Sequence, residues 1–272
     1  MSYVDELFSI KGKTALVTGG ATGIGRMIAT ALVRAGANVM IASRKSADCE
    51  QAAAELNKLG CGKAEGFAGD VGSEAGIIAL VAAVKARTDK LHILMNNAGA
   101  AWGEPLETFP YNAWLKVLGV NVIPAFHLTR ELLPLLEAAA SDEDPARVIN
   151  LGSVMGTQPA SDGNYAYTAS KAAVHHLTRN LALELSGRRI TVNAFAPGPF
   201  QSRMMNAFVG TDDKADRTGQ MVPLGRIGSP DDIAGATIYL TSRAGRYITA
   251  AILPIDGGLS VKHDVHFLGQ EA

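Results

Sequence analysis

The sequence predicts an α/β protein, a Rossmann-like, doubly wound parallel sheet of seven strands flanked by helices. Three observations predict it. Short apolar, β-branched runs alternate with longer stretches of helical periodicity, the pattern of a parallel sheet wrapped on both faces. A glycine-rich turn joins the first such run to the first helical stretch. The segments that could carry chemistry all follow the carboxyl ends of runs, where open α/β sheets bind ligands.

The elements follow in order. Strands are expected at Thr14–Thr18, Asn38–Ala42, Lys63–Phe67, Leu91–Asn96, Arg147–Leu151, Thr191–Ala196 and Ala251–Pro254. Thr14–Thr18 is a short apolar, β-prone run with the signature of a buried strand, and the others alternate with longer helical patterns. Helices are expected at Ile24–Ala35, Ala47–Leu59, Glu74–Arg87, Val120–Ala138, Ala166–Leu185 and Asp231–Leu240. No Pro/Ser-rich linker or shift in composition divides the chain, so residues 1–272 are read as one domain. Residues 1–10 are an N-terminal extension, 138–144 an acidic surface excursion, and 261–272 a tail with no clear element.

Bulk properties exclude several classes. Lys plus Arg, 25, nearly cancel Asp plus Glu, 26, which leaves no electrostatic footprint for nucleic acid or an anionic membrane. No signal peptide and no run of about 18 apolar residues is evident, so a cytoplasmic protein without membrane spans is expected. Cys49 and Cys61 make neither a disulfide framework nor a metal site, and the six histidines show no ligand spacing. No metal is expected.

The strand Thr14–Thr18 leads into Gly19-Gly20-Ala21-Thr22-Gly23-Ile24-Gly25. Glycines at a strand-to-helix turn admit a pyrophosphate close to the backbone, and the free N–H groups of the helix start stabilise its charge. The spacing differs from Gly-x-Gly-x-x-Gly. At the end of the second strand stands Ala42-Ser43-Arg44-Lys45, with no carboxylate to bond the ribose hydroxyls and repel a 2′-phosphate. A guanidinium grips phosphate through parallel hydrogen bonds. NADP(H) is therefore favoured over NAD(H), with Arg44 the discriminator and Ser43 and Lys45 its neighbours. Tyr167 and Lys171 stand four residues apart, one helical turn. A neighbouring ammonium is expected to lower the phenol pKa from about 10 and make it a usable acid/base. Tyr165, six residues before Lys171, is off that face and is read as pocket lining.

Thr18-Gly19-x-x-x-Gly23-Ile24-Gly25, Asn96-Asn97-Ala98-Gly99, a Ser ahead of Tyr-x-x-x-Lys, and Pro197-Gly198 occur in the order seen in short-chain dehydrogenases/reductases. The chain resembles that family from about Lys11 to Gly258, and within it the β-ketoacyl reductase group. Segments such as 145–150 and 194–198 are similar to the rhamnolipid branch. The resemblance implies a catalytic set of Asn121, Ser153, Tyr167 and Lys171. Ser153 would polarise the substrate carbonyl, Tyr167 deliver the proton, and Lys171 contact the nicotinamide ribose. Asn121 would kink its helix and hold a water. It further implies that Asp70 and Val71 contact the adenine, that Asn97, Ala98 and Gly99 line the cofactor, and that Pro197 and Gly198 turn beneath the nicotinamide. Ser202 stands nearest to a position where relatives carry Thr. Thr22 departs from relatives that place a basic residue there for NADP.

The implied activity is reduction of a ketone, β-ketoacyl or similar, to a secondary alcohol. The substrate wall is expected from 200–222, 100–104, 155–158 and Tyr165, with Trp102, Met155, Met204, Met205 and Phe208 making it apolar. Ser161 and Ser170 are set aside as catalytic hydroxyls, the first by closeness to Tyr167, the second by its face. Arg188-Arg189 offers a docking site for an acyl-carrier protein, and a CoA thioester is a further candidate substrate. Relatives pair into homotetramers, which the run Tyr247–Pro254 and the helix Ala166–Leu185 suit. Two rivals stand: an NAD-dependent secondary-alcohol, sugar or sterol dehydrogenase, and a non-catalytic cofactor-sensing scaffold, against which the intact catalytic set argues.

Overall fold

The computed structural model describes residues 2–159, 163–201 and 211–262. Seven strands, β1 (Thr14–Thr18), β2 (Asn38–Ser43), β3 (Lys63–Ala68), β4 (Ile93–Asn96), β5 (Ala146–Leu151), β6 (Ile190–Pro197) and β7 (Ile252–Ile255), form one sheet in the order β3-β2-β1-β4-β5-β6-β7. Every pairing is parallel. Parallel neighbours cannot be joined by tight hairpins, so the long helical stretches between runs become crossovers. The strand order reverses beside β1, and that crevice is where such sheets take ligands.

Alternate side chains feed two cores. Leu16, Met40 and Val148 point to one face, under α4 (Glu74–Lys85), α6 (Ile123–Glu131), α7 (Leu133–Ala139) and α8 (Tyr165–Leu185). Val17, Ile41 and Ile149 point to the other, under α2 (Gly23–Arg34), α3 (Ser46–Asn57) and α10 (Pro230–Thr241). Both faces are dry over β1, β2, β4, β5 and β6, which is why those strands read as largely apolar runs, whereas the edge strands β3 and β7 are partly exposed. Local sequence sets the helix ends. Ser73 caps α4 by accepting from Gly76 N, and Pro230 opens α10 at a position where its missing N–H costs nothing.

The helix expected over Val120–Ala138 is three. α5 (Tyr111–Asn121) begins nine residues earlier and ends at Asn121, followed by α6 and α7. Pro124 and Pro134 lie in the first turns of α6 and α7, where the ring is tolerated, whereas in a continuous helix each would remove a hydrogen bond and clash. Two further helices escaped the sequence pattern: α1 (Tyr3–Leu7), closed by a Ser2/Asp5 capping box in the N-terminal extension, and α9 (Asp212–Gln220).

Candidate active site

Four side chains gather beyond the ends of β4 and β5. Ser153 follows β5, Tyr167 and Lys171 lie on the first turns of α8, and Asn121 closes α5. Ser153 Oγ accepts from Met155 N at 3.2 Å, and the Ser153 hydroxyl is near enough to the Tyr167 phenol to favour its ionised form. Lys171 Nζ lies 5.5 Å from the Tyr167 ring centroid and donates to Leu151 O at 2.5 Å. Burial holds the Lys171 ammonium down to about 8. The phenol goes the other way from the sequence expectation. Burial pushes the Tyr167 pKa up, opposed by the Ser153 hydroxyl.

Asn121 is 5% exposed, and its amide is committed to protein groups. Its Oδ1 accepts from Ala100 N at 2.7 Å, and its Nδ2 donates to Ala100 O at 3.0 Å and to Ser170 Oγ at 2.8 Å. The chain does break at Asn121, but the side chain serves as a clamp between the segment after β4 and α8. Ser170, set aside from the sequence, is the second half of that clamp: it is fully buried and donates to Tyr167 O at 2.7 Å. Its partner lies on a different helix, and no helical-face argument reveals that.

A glycine cradle lies beside this group, beyond β1. Gly19 and Gly23 take left-handed φ of 65° and 56°, conformations that favour glycine. Gly19 N donates to Ala42 O at 2.7 Å, tying the cradle to the end of β2. Thr22 makes no side-chain cap for α2, so the first-turn N–H groups are left open, unlike those at Ser73 and Thr211. Thr18 Oγ1 accepts from Asn97 N and Ala98 N at 3.0 and 3.1 Å, while Asn97 Nδ2 donates to Thr18 O and Gly19 O at 2.7 and 3.2 Å. Thr18 thus joins the site as a brace that sequence reasoning left out. Ile24 packs against the core, so only its backbone faces the cradle.

The remaining cofactor candidates ring this crevice. Arg44 and Lys45 are exposed at the end of β2, and Arg44 makes no ion pair among the described residues. Ser43 Oγ is instead engaged by Lys45 O at 3.4 Å and Cys49 Sγ at 3.0 Å. Asp70 is not a helix cap, a place taken by Ser73; its Oδ1 accepts from Gly72 N at 3.0 Å. Val71 turns its side chain into the core. Gly198 N donates to Ile255 O at 3.0 Å, and a Cβ there would lie 2.9 Å from Asp256 Cα.

A family model described as Enoyl-(Acyl carrier protein) reductase matches residues 19–260. The chain belongs to the short-chain dehydrogenase/reductase family. It is 44% identical over 251 residues to the rhamnolipids biosynthesis 3-oxoacyl-(acyl-carrier-protein) reductase of Pseudomonas aeruginosa, covering 92% of this chain and 97% of that protein. The Pseudomonas aeruginosa RhlG/NADP active-site complex superposes with a TM-score of 0.89 at 44% identity, over 94% of this chain and 99% of that one. A gluconate 5-dehydrogenase from Burkholderia cenocepacia, in complex with NADP and tartrate, gives 0.86 at 29% identity, over 96% of this chain and 100% of that one.

In this short-chain dehydrogenase/reductase the substrate side is partly aromatic. Phe109 meets Tyr165 and Trp114 edge-on at 5.3 and 5.9 Å, and Lys116 Nζ stands 5.0 Å over the Trp102 ring. Phe200 is 1% exposed and packs in the core against Gly228, and together with Pro199 it borders a cleft. Ser161, Ser202, Met204, Met205 and Phe208 lie outside the described residues. A cleft of about 520 Å³ opens between Pro199, Pro223, Leu224 and Asp256–Gly258, and the four gathered residues do not line it. Arg188 and Arg189 precede β6, at the opposite end of the strands from Ser153, and are paired with Glu137 and Asp142. Their position and neutralised charge remove them as a docking site that could present an acyl chain.

Proposed function

We propose that the protein is an NADP(H)-dependent oxidoreductase that reduces a ketone, of β-ketoacyl type or similar, to a secondary alcohol. The observation that carries this reading is the gathering of Ser153, Tyr167 and Lys171 beyond β5, with the Lys171 ammonium 5.5 Å from the Tyr167 ring centroid and hydrogen-bonded to Leu151 O. A serine hydroxyl and a phenol brought together there would suit a carbonyl oxygen. Ser153 holds that oxygen and polarises the carbonyl, and Tyr167 gives it the proton as charge develops. Bound NADPH supplies the hydride. Burial keeps the phenol protonated at neutral pH, the form a proton donor needs. Asn121 and Ser170 hold α8 against the segment after β4, which fixes where the phenol points.

The residues present fit the dinucleotide. Gly19, Thr22, Gly23, Ile24 and Gly25 offer backbone N–H groups and close approach to the pyrophosphate. Ser43, Arg44 and Lys45 would hold a 2′-phosphate, Asp70 and Val71 would contact the adenine, and Asn97–Gly99 with Pro197 and Gly198 would border the nicotinamide. Tyr167 and Lys171 would contact its ribose. Arg44, exposed, charged and without an ion-pair partner among the described residues, is the strongest support for the phosphate.

The rhamnolipid-type relative favours an acyl thioester on a carrier protein or CoA. The gluconate 5-dehydrogenase likeness supports the second reading, oxidation of a sugar acid. Exposed Tyr111, Leu115, Ile123, Phe126, Leu183 and Tyr247 support burial between subunits in a homotetramer. No helix among the described residues is long and apolar enough to cross a membrane; the cytoplasm is the compartment proposed.

Titration of the protein with NADPH and NADH, followed by nucleotide fluorescence, tests the reading. NADPH should bind more tightly, and Arg44→Ala should erase about tenfold or more of that preference, the worth of a hydrogen bond to a charged group. Equal or tighter NADH binding would overturn the phosphate assignment and move the substrate screen to alcohol oxidation.

A further inference from the structure

We propose that His175 is a positioning residue for Ser153: its ring, wedged beneath the turn after β5, accepts the Ser153 backbone N–H and so aims the Ser153 hydroxyl at the phenol. The inference rests on the ketoreductase reading and extends it to a side chain that touches neither substrate nor cofactor. His175 lies one helical turn beyond Lys171 on α8 and is 3% exposed. Its Nε2 stands 3.4 Å from Ser153 N.

The turn is built around the ring. A Cβ at Gly152 would lie 2.2 Å from His175 Nε2, and one at Gly156 would lie 2.6 Å from His175 Cε1. Glycines therefore flank Ser153 on both sides because no side chain fits while the imidazole is there. The turn is closed by Gly152 N donating to Phe195 O at 2.8 Å and Gly156 N donating to Ser153 O at 2.9 Å. Ser153 Oγ then meets Met155 N within the same turn. The ring must be neutral to accept. Burial, with the Lys171 and Arg179 charges beside it, holds the imidazole down to about 4, so at neutral pH Nε2 carries a lone pair and the ring proton sits on Nδ1. Lys171 and Ser153 are thus fixed from one helix face, the first by its own side chain and the second through His175.

Two substitutions of similar reach separate an acceptor from a space-filler. His175→Gln can present an amide oxygen to Ser153 N, and His175→Leu cannot. In the full-length protein with NADPH and a ketone, His175→Leu should lower kcat by about tenfold, one neutral hydrogen bond's worth, with the Kd for NADPH unchanged. His175→Gln should recover most of that loss. Independently of turnover, hydrogen–deuterium exchange of the peptide covering 150–158 should be faster in His175→Leu than in wild type or His175→Gln. If His175→Leu does not fold, His175→Met against His175→Gln makes the same comparison. Leu and Gln variants that behave alike, in exchange and in kcat, would overturn the positioning role. Absence of ketone turnover in wild type would instead sink the ketoreductase reading, while the exchange comparison would still judge His175.

Discussion

Gly25→Ala is the substitution for which the structure sets the magnitude most directly. Gly25 lies buried in the first turn of α2, and an added Cβ would fall 2.3 Å from Asn97 Nδ2 and 2.4 Å from Gly19 O. Neither neighbour can yield cheaply. Gly19 O is backbone, and Asn97 Nδ2 is held by Thr18 O and Gly19 O at 2.7 and 3.2 Å. Forced overpacking costs about 1–3 kcal/mol, and loosening two amide hydrogen bonds about 1 kcal/mol each. Replacing a helical glycine by alanine returns about 1 kcal/mol. The net is a loss of about 2–4 kcal/mol, which a domain with about 5–15 kcal/mol of stability survives. Gly235→Ala in α10 is the control, because nothing lies within 4 Å of its Cβ. It should stabilise by up to about 1 kcal/mol. Urea unfolding of the two variants should move in opposite directions, and NADPH binding should weaken only in Gly25→Ala. A Gly25→Ala protein as stable as wild type, with unchanged nucleotide affinity, would refute both the contact and the cradle built on it.

Tyr167→Phe keeps the ring and its packing while removing the proton donor; turnover should vanish with cofactor binding largely intact, and retained turnover would sink the acid/base role. Ser170→Ala removes the acceptor for Asn121 Nδ2 at 2.8 Å, yet alanine is the better helix former. Thermal unfolding should therefore shift little while kcat falls severalfold, and an unaltered kcat would show that the clamp does not bear on the phenol. Lys171 gives a pH signature in the cofactor-free protein. Its folded pKa of about 8 lies below the unfolded value of 10.5, so the folded state binds fewer protons between them and stability rises with pH across that window. Below pH 8 the burial penalty is complete, about 3 kcal/mol at 1.36 kcal/mol per pKa unit. Chemical unfolding of wild type against Lys171→Met from pH 7 to 10.5 should show that difference closing; a constant gap would contradict the buried ammonium.

How much was legible in the sequence follows from where each interaction partner lies along the chain. The central strands were legible because both faces of the sheet are dry there, and a run such as Ala15-Leu16-Val17 records that directly; the edge strands β3 and β7, partly exposed, were placed by the alternation of runs with helical stretches. The helix breaks at Pro124 and Pro134 were written too, but the continuous apolar pattern from Val120 masked them, and α5 was hidden by its mixed aromatic and polar start. The proximity of Tyr167 and Lys171 was legible because the pair is local. The bracing part of Ser170 was not legible for the matching reason: its partner Asn121 is forty-nine residues away.

The phenol's direction of shift was equally out of reach, since spacing reports a neighbouring charge but not the desolvation that opposes it. That opposition bears on how the site works. In the free chain burial keeps the Tyr167 phenol protonated at neutral pH, the form from which a proton can be given to a substrate oxygen. Alcohol oxidation needs the phenolate and should therefore gain rate as pH rises, while ketone reduction should stay level through neutrality and fall only once the phenol itself deprotonates.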